Sequence, residues 1–170
     1  MIPEHHRAKR PVSPVLAGPY GHPFHPILVT VPIGAWVASL LFDIASHVVS
    51  GGAYLAMGAV WLIGLGVVGA VAAAAVGVLD LVVIPPETMA QRRALLHMTL
   101  NVTALAIFVI DWIYRASGGA THGAVPPGLI ALSAVGLGVL AVAGYLGGEL
   151  AFRYGVRVVD ESTQSHGFRS

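Results

Sequence analysis

Four apolar runs, residues 27–49, 54–84, 95–114 and 128–152, leave this chain few ways to fold. Each is about 20 residues or longer, the length an α-helix needs to cross a ~30 Å hydrocarbon core. At helical rise the first run alone is roughly 34 Å long. Charged residues make up 10% of the chain, against roughly 25% in a soluble domain, and the mean hydropathy is +0.79. So little polar surface cannot cover a soluble globule. In lipid the backbone must satisfy its own hydrogen bonds, and apolar runs of this length do so as helices. The expected fold is all-α, a four-transmembrane-helix bundle whose first partner is the lipid bilayer.

The breaks between runs are specific. Pro26 suits a first helical turn, where its missing N–H costs nothing. Pro32, one turn further in, is expected to bend the first span. Ser50-Gly51-Gly52 stops it, and Pro85-Pro86 ends the second. Residues 87–93 read as a polar lead-in to the third span, and residues 117–127 as a Gly/Pro loop carrying His122. Gly69, Ala73 and Gly77 form a small-residue stripe of the kind that lets membrane helices approach closely. Gly144 and Gly148 form a second pair. No internal repeat is apparent. Residues 1–20 read as a flexible cytoplasmic arm without the features of a cleaved signal peptide. Residues 21–155 read as the membrane domain, and 156–170 as a cytoplasmic tail.

With four spans, both termini and the loop between spans two and three share one side. That side holds eight of the nine Lys and Arg residues, and the other holds Arg115 alone. The excess of positive charge puts both termini in the cytoplasm, and the expected location is the inner membrane of a bacterium. Three basic residues in the arm are explained by topology, and no nucleic-acid partner is expected. The chain has no cysteine. This excludes disulfides, iron–sulfur ligation and c-type haem attachment.

Following the chain up and down brings polar residues of all four spans to the level of the termini. Span one contributes His22 and His25. Span two contributes Asp80, three residues beyond Gly77 and so on the close-packed face. Span three contributes Arg93, His97 and Asn101 at i, i+4, i+8, and span four Tyr145, Glu149 and Arg153 at the same spacing. An ionisable side chain inside a span costs a few kcal/mol unless it faces the interior, water or a partner. One shared pocket is the arrangement of lowest cost. At the opposite end, Asp43 and His47 are one turn apart, as are Asp111 and Arg115. The Asp43/His47 pair is read as interfacial and facing water, with a second proton or metal site as the alternative.

The stretch Gly21-His22-Pro23-Phe24-His25-Pro26 with Pro32 and Asp43, the Arg93/His97/Asn101 stripe and the closing Gly147-Gly148-Glu149-Leu150 with Arg153-Tyr154-Gly155-Val156 resemble a bacterial membrane family, domain of unknown function 2231. The resemblance runs from about residue 20 to 159. It implies a four-span integral membrane protein. Some family members are joined to Rieske-type iron–sulfur domains, which implies a link to redox chemistry and a redox partner protein.

Three functions fit these residues. In the first, His25 and His97 hold a b-type haem from its two faces, with Arg93 and Asn101 in support and Arg92, Arg93 or Arg153 pairing the propionates. In a variant of it, His22, His25, Asp80, His97 and Glu149 hold a metal ion such as Zn, Fe, Mn or Cu. In the second, the polar cluster only locks the bundle and the protein is a scaffold or assembly subunit, docking a partner or a second copy. In the third, Asp80 and Glu149 carry protons in a transporter, which with four spans per chain requires a homo-oligomer. No nucleophile–base constellation points to a hydrolase. Trp36, Trp61 and Trp112 are expected at the interface or in packing.

Overall fold

The computed structural model describes residues 4–13, 17–18, 21–119 and 123–169. Its helices are α1 (Glu4–Arg7), α2 (His25–Leu28), α3 (Thr30–Ala45), α4 (Ala53–Val82), α5 (Met89–Tyr114), α6 (Pro127–Phe152) and α7 (Glu161–His166), and α5 runs on into a π-helical turn at Arg115–Gly119. Among the described residues, four stretches are long and apolar enough to cross a membrane: Phe24–Ala45, Ala53–Val82, Met89–Gly118 and Pro127–Phe152. No β-strand occurs among the described residues.

The first span is broken where Pro32 requires it. Pro32 has no N–H to give the Leu28 carbonyl, so α2 ends at Leu28 and α3 restarts at Thr30, with Val29 between them. Pro26 occupies the first turn of α2. At the start of α5 the Thr88 hydroxyl accepts from the Gln91 amide at 3.1 Å, and the Gln91 side chain accepts from the Glu87 amide at 2.8 Å. These bonds satisfy amides that a helix start leaves free.

The helices pack as two hairpins, α3 on α4 and α5 on α6. Glycines let each hairpin close. A side chain at Gly66 would strike the Trp36 indole, and a Cβ at Gly136 would lie 2.8 Å from the Phe108 ring. The hairpins meet at Trp36 and Phe108, whose rings stack 4.0 Å apart at 11°. Ile63 and Val67 complete this central cluster. A second cluster, near the termini, joins Ala8 to Ile84, Ala94 and Leu150. The segment expected to be a flexible arm therefore contributes a buried residue, and its Ala8 carbonyl accepts from the Arg157 amide at 2.9 Å. Trp36 is buried in the centre of the bundle, while Trp61 is exposed on the apolar exterior.

Candidate functional site

His25 is the first residue of α2, and the bend at Val29 turns that short helix toward α4. There the His25 Nδ1 lies 2.9 Å from the Ala73 carbonyl oxygen. One turn along α4, Gly77 makes room for the ring: a Cβ there would be 3.0 Å from its Cε1 and Nδ1. His97 on α5 does the same against α6. Its Nδ1 lies 2.7 Å from the Ala143 oxygen, and a Cβ at Gly147 would be 3.0 Å from its Cε1. A carbonyl only accepts, so each Nδ1 is the donor. In the neutral ring each Nε2 then keeps its lone pair. The two ring centroids are 6.3 Å apart, with the ring planes at 80°.

Asn101 sits one turn beyond His97. Its Nδ2 donates to the His97 carbonyl at 2.8 Å. The same nitrogen is 3.3 Å from Nδ1 and 3.2 Å from Nε2 of the His97 ring. Near-equal approach to both ring nitrogens places the amide over the ring face, away from the plane of the Nε2 lone pair. Asn101 therefore braces the imidazole without occupying it.

The carboxylates of the same level are engaged elsewhere. Asp80 Oδ1 is 2.9 Å from Nε of Arg157, a residue held at φ 60° just beyond α6. Glu149 is bracketed by Arg153, at 2.9 Å, and Arg93, at 3.4 Å. Its Oε2 is buried and has no hydrogen-bond partner. His22 Nδ1 lies 2.8 Å from the Pro23 oxygen. The structure thus brings His25, His97 and Asn101 together, and Arg93 to Glu149, while Asp80 faces Arg157. No group of three or more His, Cys, Asp or Glu among the described residues is arranged to hold a metal ion. The single shared pocket expected from helix phase resolves into an imidazole pair and separate ion pairs, because arginines compete for each carboxylate.

The opposite end holds what sequence reading undervalued. Asp43, expected at the interface facing water, is fully buried, as are Asp111, Arg115 and Ser133. The Arg115 guanidinium donates to both Asp43 oxygens at 2.7 and 2.9 Å and, through Nε, to Asp111 at 2.8 Å. Ser133 donates to the second Asp111 oxygen at 3.0 Å. All four carboxylate oxygens are thereby satisfied, the condition for keeping such charges away from water. His47 turns away from Asp43's partners, with Nε2 2.8 Å from the Val125 carbonyl oxygen. The signal was present in sequence: Arg115 is the lone basic residue of its side, four residues from Asp111. What sequence could not supply was the inward direction of Asp43. His122 lies outside the described residues.

No curated protein and no solved structure matches the chain. The family model described as "Predicted membrane protein (DUF2231)" matches residues 21–160. That match spans all four apolar helices and both ends of the bundle, and the chain belongs to this family of membrane proteins.

Proposed function

We propose that the protein holds a b-type haem between His25 and His97 and passes electrons within the membrane. The observation that carries this reading is the imidazole pair itself. Each ring is fixed through Nδ1 to a backbone carbonyl, a bond that metal-ligating histidines commonly make with the nitrogen that does not hold the metal. The ring centroids stand 6.3 Å apart. A bare zinc ion takes four protein ligands in a closed site, and Asp80 and Glu149 are turned to arginines. A haem would need only the imidazoles of His25 and His97 from this chain. Held by His25 and His97 together, a haem would supply one-electron transfer at this site. Arg93, one turn from His97, would exchange its contact with Glu149 for a propionate.

The proposed location is the inner membrane of a bacterium with both termini cytoplasmic. Arg115 is fully buried, so the side opposite the termini has no exposed Lys or Arg among the described residues. That strengthens the charge asymmetry on which orientation rests. The absence of native cysteine makes the test direct. Ser165→Cys should react with a membrane-impermeant thiol reagent only after the cells are opened, and Ser117→Cys in intact cells.

The haem reading is tested by the absorption spectrum of detergent-purified protein, oxidised and reduced, with iron analysis of the same sample. Expected are a Soret band that shifts on reduction, one iron per chain, and loss of both in His25→Ala and His97→Ala. Wild-type protein that takes up neither haem nor iron when both are supplied in excess overturns the proposal and leaves a scaffold.

A further inference from the structure

A constant displacement of 72 residues carries α2 and α3 onto α5: His25 onto His97, Pro32 onto Ala104, Trp36 onto Phe108, Ser39 onto Asp111 and Asp43 onto Arg115. Every one of these residues is buried except the two histidines, which are both half-buried. A displacement of 70 carries α4 onto α6: Ile63 onto Ser133, Gly66 onto Gly136, Ala73 onto Ala143 and Gly77 onto Gly147. The contacts map as well as the positions. His25 to Ala73 becomes His97 to Ala143, Gly77 under His25 becomes Gly147 under His97, and Gly66 under Trp36 becomes Gly136 under Phe108. The difference of two residues between the displacements falls in the connecting loops.

We infer that the chain is two copies of one helix hairpin docked on each other about a two-fold axis. Equivalent residues of the two copies meet at three successive levels: His25 with His97, Trp36 with Phe108, and Asp43 with Arg115. Residues meet their own equivalents only on the axis, so the axis runs along the spans through the middle of the bundle. Both hairpins start from the same side, as such a parallel repeat requires.

The docking surface is built to accept the other hairpin and reject its own kind. Two copies of the first hairpin would set Asp43 against Asp43, and two of the second Arg115 against Arg115. Like charges facing each other in a low-dielectric interior are repelled, and opposite charges are held. Asp111 and Ser133 complete the clamp on the second hairpin, and their equivalents Ser39 and Ile63 leave the first hairpin with the single charge of Asp43. The partner each surface fits is therefore a hairpin of the same shape and opposite charge.

If the sites are equivalent, the clamp can be moved. The test transposes it in the full chain: Ser39→Asp, Asp43→Arg and Ile63→Ser together with Asp111→Ser, Arg115→Asp and Ser133→Ile. Asp43→Arg alone and Arg115→Asp alone should not yield folded protein. The six-fold transposed chain should fold, monodisperse in detergent and melting within about 5 °C of wild type. A transposed chain as defective as the single variants overturns the inference. A second measurement leaves the clamp alone. Gly77→Ala and Gly147→Ala should lower the melting temperature by equal amounts, and an effect at one position without the other counts against the repeat. The clamp lies at the other end of the bundle from His25 and His97, so the transposition readout does not depend on whether haem binds, and the two glycine variants are compared as haem-free protein.

Discussion

Arg115 and Asp43 form a two-pronged ion pair, with Nη1–Oδ1 at 2.7 Å and Nη2–Oδ2 at 2.9 Å, joining the ends of α5 and α3 where both side chains are fully buried. Such a pair holds two hairpins together because neither partner has water to fall back on. Removing one member is then far worse than removing all. Arg115→Met should cost about 3–5 kcal/mol by leaving two carboxylates without a cation. The triple variant Asp43→Leu, Asp111→Leu, Arg115→Met should be close to wild type. Thermal unfolding in detergent, followed by circular dichroism, separates the two cases; equal losses in both would show that the clamp acts by shape and not by charge.

The Trp36–Phe108 stack depends on two glycines. Gly66→Ala and Gly136→Ala each push a methyl group into an aromatic ring held on its far side by the other ring. Each should destabilise by about 1–3 kcal/mol, the range for overpacking a filled core. Both should also weaken the near-ultraviolet circular dichroism of the buried indole. Gly34→Ala, where a Cβ would meet nothing within 4 Å, is the matched control and should leave both readouts in place.

Arg157 ties the segment after α6 to α4 through Asp80 and, by its amide, to Ala8. Asp80→Asn removes the anion while leaving the shape. The tail beyond residue 153 should then be cut by trypsin several-fold faster in open membranes, with the four spans still intact on a gel. An unchanged cleavage rate would mean that the Ala8 contact holds the tail by itself.

Asp160 caps α7, accepting from the Thr163 amide at 3.0 Å. The Ser162 hydroxyl and that amide hold its carboxyl well below the usual carboxylate range. A group whose value is depressed on folding stabilises the folded form above its unfolded value, near 3.9, and loses that contribution as pH falls through the lower folded value. The cap should therefore persist as pH falls through the ordinary carboxylate range and fail only in stronger acid. The Thr163 amide resonance, followed by NMR on detergent-solubilised protein, should titrate below the range of a free aspartate and should lose that titration in Asp160→Ala. A transition at the ordinary value would show the cap open.

Sequence alone determined the architecture, because hydrophobic length is a local property. Twenty or more apolar residues must become a helix in lipid whatever their neighbours do, and Pro32, Pro85-Pro86 and the glycines mark where the helices bend and stop. It also brought His25 and His97 to one level, since depth follows from counting along a span. Tertiary structure decided the rest. Whether Asp80 faces a histidine or Arg157, and whether Asp43 faces water or Arg115, depends on the rotation of each helix about its own axis. A mostly apolar helix carries little sequence signal for that rotation. The repeat was hidden for the same reason. The two hairpins share identical residues at only a few packing positions, such as His25 and His97, Ala73 and Ala143, or Gly77 and Gly147. Lipid-facing positions need only be apolar, so they keep no record of a common pattern. Close contact across the axis requires particular shapes and charges, and only the folded chain shows which residues meet there.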